Sequence, residues 1–133
     1  MASRGAKSKK GKVPMEEYDT MFVMETGIKV LKGKEKKHHS LPEFAHTTTS
    51  IYGKLSDDGK YLKEIRFFDK ATGKVILELA NHPEPVINHG NRQDNILHFH
   101  TYNGLDRSTA IPLSEHPEIV SRYFKYIEEL LEI

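Results

Sequence analysis

Four histidines fall within nineteen residues of this chain: His82, His89, His98 and His100. The last two flank Phe99 in the run ILHFHTY, which has the apolar and aromatic character of a β-strand. Histidines at i and i+2 of a strand share one face, with backbones about 7 Å apart. Two neutral imidazoles so placed can hold a metal ion together. They can equally act as acid and base on one substrate, since free imidazole titrates at about pH 6.5. For a metal, zinc being the first candidate, further ligands would come from His82, His89 or Asp94. The spacing is not that of a zinc finger, and no H-x-x-x-H helix motif is present. For metal-free cleavage of RNA, a base takes the 2′-hydroxyl proton, an acid protonates the leaving oxygen and a cation steadies the phosphorane. His98 and His100 are the candidate catalytic pair, assisted by Arg92 and Tyr102. Arg66, Arg107 and Ser108 are candidates for holding the substrate. In this reading no cofactor is required. Arg66 also has a structural reading, as a cross-strand ion pair.

The elements that must position these groups can be read from periodicity and turn chemistry. TTTSIYGKL (47–55), YLKEIRFFD (61–69), VILELA (75–80) and ILHFHTY (96–102) read as four strands. SDDGK (56–60) and KATGK (70–74) supply the intervening turns. Residues 81–95, NHPEPVINHGNRQDN, read as a long loop carrying His82, His89 and Arg92. SEHPEIVSRYFKYIEELLEI (114–133) reads as an amphipathic helix with Ile119, Val120, Tyr123, Phe124, Ile127, Leu130 and Leu131 on one stripe. Ser114 or His116 would cap it, with Pro117 in its first turn. Within residues 15–31, Tyr18, Met21 and Phe22 lie at helical spacing and Gly27 is a plausible stop, which predicts a short helix; strand character at 28–31 competes with it. The expected fold is therefore α+β: a four-stranded antiparallel meander, a short N-terminal helix, and a C-terminal helix packed on one sheet face. If the helix covers Leu97 and Phe99, then His98, His100 and Tyr102 face outward under the 81–95 loop.

Length and composition bound the rest. A chain of 133 residues is one domain with enough material for a core. It lacks cysteine, so thiolate chemistry and disulfides are excluded. No apolar run approaches the roughly 18 residues of a membrane span. The expectation is a soluble, cytoplasmic protein with a basic disordered tail at 1–13 and one domain at 14–133. The net charge is +1. Arg4, Lys7, Lys9, Lys10 and Lys12 are all in the tail, so the remainder carries about −4. Attraction to phosphate would be local, at the tail and the lysines of 29–37.

The stretch HSLPEFAHTTTSIYGKLSDDGKYLKEIRFFDKATGKVILELANHPEP, followed by HFHTY, resembles small domains encoded by phages and prophages and found at the C-termini of polymorphic toxins. The likeness covers about residues 39–102. It rests on Arg66, Phe68, Asp69, Gly73 and Lys74 of a hairpin and on His82, His98 and His100. The NHGNRQDN insertion departs from that pattern. The resemblance implies a phage- or mobile-element-associated protein acting in a bacterial cytoplasm. The layout is similar to that of barnase- and colicin-type ribonucleases, an analogy of fold alone. Three functions stay open: an acid–base ribonuclease, a non-catalytic protein that binds and inhibits a host defence protein, and a histidine metal-binding domain.

Overall fold

The computed structural model describes residues 6–7, 18–33, 41–45, 51–104 and 106–132. His38, His39, His46 and residues 47–50 of the first expected strand lie outside these. Of the basic tail, Ala6–Lys7 is described; it forms strand β1, paired with β4 (Phe44–Ala45). The fold is α+β. Its main sheet is larger than a meander and is mixed. Along it run β10 (Ile111–Pro112), β8 (Asn95–Asn103), β7 (Val75–Pro83), β6 (Leu62–Phe68), β5 (Ile51–Leu55), β3 (Lys29–Gly33) and β2 (Tyr18–Val23); β9 (Asp106–Arg107) pairs with β8 off this path. All these pairings are antiparallel except β3 with β5, which is parallel.

The expected N-terminal helix is instead the β2–β3 hairpin. The Met24 and Ile28 backbones close its turn, and Gly27 sits at φ +91° where a side chain would be strained. The pattern misleads because β2 is an edge strand. Met21, Phe22 and Val23 are all exposed, so no alternation of buried and exposed residues marks it.

The two short hairpin turns form where turn residues demand them. Asp58 Oδ1 accepts the Lys60 N–H at 3.0 Å, with Gly59 at φ +76°. Asp69 Oδ1 accepts the Ala71 and Thr72 N–H groups, with Gly73 at φ +74°. The third connection is shorter than expected. Strand β7 runs on through Asn81, His82 and Pro83, opposite Leu97, Ile96 and Asn95, so the loop proper is 84–94. The predicted C-terminal helix is also divided. A 3-10 turn at Leu113–Glu115 leads into α1 (Pro117–Arg122), and α2 (Phe124–Leu131) follows after a break at Tyr123. Pro117 occupies the first turn of α1, but neither Ser114 nor His116 makes a side-chain cap.

Two apolar clusters lie on opposite sheet faces. On one face Ile127 and Leu130 of α2 pack with Ile65, Phe67, Leu79 and Phe99. Burying such a side chain contributes about 1.5–3 kcal/mol. Phe124 and Leu131, expected in the same stripe, are exposed. On the other face Tyr18, Leu31, Leu41, Tyr52, Phe68 and Val75 form the second cluster. Val75 thus parts from Leu77 and Leu79, its expected companions. The register shift between Phe67 and Phe68 inserts a bulge, and a bulge turns a side chain to the opposite face.

Candidate metal centre

The second face carries the polar residues. Directly opposed residues of paired strands point to the same side. Arg66 of β6 lies opposite Glu78 of β7, which lies opposite His100 of β8. One step along, Ala80 lies opposite His98, and the next rung holds His82 with Ile96. The imidazoles make a row: the His82 and His98 ring centroids are 4.7 Å apart and those of His98 and His100 are 5.3 Å apart, each pair edge to face.

His98 and His100 do not face outward as the sequence suggests. They are 0% and 4% exposed. The segment after β8 folds back so that Ser108 reaches His100, and the loop places Glu84 beside both rings. His98 Nδ1 lies 2.7 Å from the Ile96 carbonyl oxygen, and His100 Nδ1 lies 2.9 Å from that of Ser108. A carbonyl only accepts, so each Nδ1 carries the proton. In a neutral ring the lone pair then sits on Nε2. Burial pushes His98 down to about 4, against the opposing pull of the Ile96 carbonyl. Burial likewise pushes His100 below the usual imidazole range, opposed by the Ser108 carbonyl. Both rings are therefore neutral at neutral pH. Both Nε2 atoms are buried and have no hydrogen-bond partner among the described residues.

Glu84 completes a cluster. One donor atom from each of Glu84, His98 and His100 lies within 4.8 Å of the others. Three electron-pair donors converge there. Two imidazoles and a carboxylate suit zinc and other divalent first-row ions. A ligating imidazole normally donates its other N–H to a carbonyl or carboxylate, as both rings do here. Bonds of about 2.0–2.1 Å in a tetrahedral sphere set ligand atoms about 3.3 Å apart, so the donors must close by an ångström or so. Glu84, on the loop, is the one donor not fixed to a strand.

Beside this cluster lies a buried ionic network. Arg66 Nε donates to Glu78 Oε2 at 2.9 Å, and its Nη1 donates to the Leu41 carbonyl at 2.6 Å. Arg107 donates to the other Glu78 oxygen. Burial alone would raise the Glu78 carboxyl, but Arg66 and then Arg107 outweigh it and hold it below the usual carboxylate range. Tyr102 is half-buried, and burial raises its hydroxyl to about 12, so it stays protonated.

The fold thus brings His98 and His100 together and sets His82 beside them, with the His82 Nδ1 3.0 Å from the Pro83 carbonyl oxygen and its Nε2 3.6 Å from Glu64. His89 and Arg92 stand exposed on the loop, outside the donor cluster. Arg66 is committed to Glu78 inside the protein. The Ser108 hydroxyl accepts the Thr101 N–H and donates to the Thr109 carbonyl, while its own carbonyl holds His100. Glu84 and Glu78 were missed from the sequence. A carboxylate two residues after His82 was a readable signal for the first; only strand register reveals the second. Among the described residues no helix is long and apolar enough to cross a membrane. Comparison with family models, with curated proteins and with solved structures gives no match.

Proposed function

We propose that this protein binds one divalent first-row metal ion, zinc first among them, through His98 Nε2, His100 Nε2 and the Glu84 carboxylate. One observation carries this reading. Two buried imidazoles, each with its Nδ1 bonded to a carbonyl and its Nε2 without a hydrogen-bond partner among the described residues, bring a ring nitrogen each to within 4.8 Å of one another and of a Glu84 carboxylate oxygen. Facing acceptors repel, and a cation relieves that repulsion. Three protein donors leave a coordination position for water, the arrangement that supports metal-assisted hydrolysis.

The test is metal content and titration. Purified wild type should take up one zinc or cobalt ion per chain, and cobalt should give the visible absorption of a nitrogen–oxygen site. Glu84→Ala should weaken binding by more than the about 10- to 100-fold typical of losing a partner behind a ligand, since it removes a ligand itself. His98→Ala and His100→Ala should abolish it while circular dichroism shows a folded chain. Unchanged uptake in folded His98→Ala would sink the proposal.

Metal-free cleavage of RNA by His98 and His100 is the second reading. Their 5.3 Å ring separation favours it, since both could reach one phosphodiester. Against it, burial leaves neither ring with the proton that the acid step requires at neutral pH. RNA cleavage that survives chelation and is lost in His98→Ala would select this reading; cleavage abolished by chelation would select the metal.

A further inference from the structure

We infer that the loop 84–94 is a strap worked by the metal: it swings aside to admit the ion, and Glu84 draws it onto the body once the ion is bound. The inference rests on the metal reading above. The need for an opening comes from burial. His98 and His100 are enclosed, and so are their Nε2 atoms. An ion reaches those atoms when a covering segment moves, since a metal site needs an entry path.

Two segments cover the pair, one carrying Ser108 and the other Glu84. The first is tied down. Asp106–Arg107 pairs with β8, and Arg107 is bonded to Glu78. The Ser108 N–H donates to the Thr101 carbonyl at 2.9 Å, and the Thr101 N–H donates to the Ser108 hydroxyl at 2.9 Å. The loop is bonded to itself. The Glu84 carbonyl accepts the Ile87 and Asn88 N–H groups, and the Pro85 carbonyl accepts that of Gly90. Asn91 Oδ1 accepts the Gln93 and Asp94 N–H groups, while Asn91 Nδ2 donates to the Asp94 carboxylate. Among the described residues no hydrogen bond or ion pair joins 84–94 to the rest of the protein. Neither Val86 nor Ile87 belongs to either apolar cluster. A segment without such ties opens at low free energy, so the loop is the segment that moves.

Glu84 is placed to close it. The three donor atoms lie within 4.8 Å of one another, and around one ion they must come to about 3.3 Å. The rings are held where they are. His98 and His100 stand on β8, which is paired on both sides, and each Nδ1 is bonded to a carbonyl. Glu84 therefore makes the movement. The bonds that begin at its carbonyl carry the loop with it.

The experiment is amide hydrogen exchange, read by mass spectrometry on the full chain without metal and with zinc, with metal content measured on the same samples. At free zinc about 100 times its dissociation constant, exchange at 84–94 should slow by up to about 100-fold, because the opened loop forfeits the Glu84 ligand. Slowing at 106–109 should be smaller. Glu84→Ala at the same zinc concentration should show no slowing at 84–94. Bound zinc with unchanged exchange at 84–94, or slowing spread evenly over the chain, overturns the strap and leaves the metal standing. Slowing in Glu84→Ala equal to that of wild type does the same. Wild type that takes up no zinc overturns the metal reading, and the strap falls with it.

Discussion

Glu78→Gln is the sharpest probe of the polar face. In the native chain the Arg66 and Glu78 side chains are 6% and 0% exposed and bonded at 2.9 Å. Replacing the carboxylate by an amide removes the charge and keeps the shape. Arg66 is then left buried, with a neutral amide in place of its carboxylate. Breaking a buried pair from one side costs about 3–5 kcal/mol. The retained amide oxygen still accepts one bond, which places the loss near the lower end, about 3 kcal/mol. With a urea slope of about 2 kcal/mol per molar, the unfolding midpoint should fall by about 1.5 M. Circular dichroism during urea unfolding reads this directly. Arg66→Met combined with Glu78→Leu should recover most of the loss, short of the bonds from Arg66 to the Leu41 and Pro42 carbonyls. A fall below about 0.5 M in the single variant would refute the account, because it would mean that Arg66 is not confined in a dry interior.

Two further outcomes concern His98 and Asn81. The folded His98 titrates at about 4, below its ordinary 6.5, so the folded state refuses a proton that the unfolded chain accepts; metal-free protein should therefore keep full stability above about pH 6.5 and lose about 3 kcal/mol as pH falls to 4. His98→Phe should lessen that slope, leaving the share of His100, whose imidazole burial also depresses, in unfolding curves taken across the window; a wild type already flat there would contradict the account. Asn81 Nδ2 donates to the Leu130 carbonyl at 2.8 Å and so caps the last turn of α2; Asn81→Ala should cost about 1 kcal/mol, or about 4 °C in Tm by calorimetry, and no shift would show that the contact contributes nothing.

Strands β5 to β8 were legible in the sequence because local signals specify them. The Asp58-Gly59 and Asp69-to-Gly73 turns fix where each hairpin reverses, and alternation then assigns residues to faces. The N-terminal hairpin was not legible. Tyr18, Met21 and Phe22 fall at helical spacing, and an edge strand with three exposed apolar residues shows no period of two. His98 and His100 were recognisable as a pair sharing a face. Their burial was not, because it depends on Ser108 and Glu84 folding over them, and both contacts reach outside the strand that carries the pair. Glu78 illustrates the same limit. Its place between Arg66 and His100 is a matter of register across three strands, which no single segment encodes.

The parallel pairing of β3 with β5 bears on how the chain reaches this fold. Strands β5, β6, β7 and β8 pair in consecutive order, each with its sequence neighbour. Such contacts close short loops and form early. The β2–β3 hairpin closes just as locally, but its pairing with β5 joins strands well separated along the chain, Lys29–Gly33 and Ile51–Leu55. Loop-closure entropy makes that docking the slower event. A chain in which that docking has not yet occurred would present β5 as the open edge of the β5–β8 strands, with backbone groups able to pair with another chain. Aggregation during refolding should therefore concentrate at β5, a strand that the finished protein keeps inside its sheet.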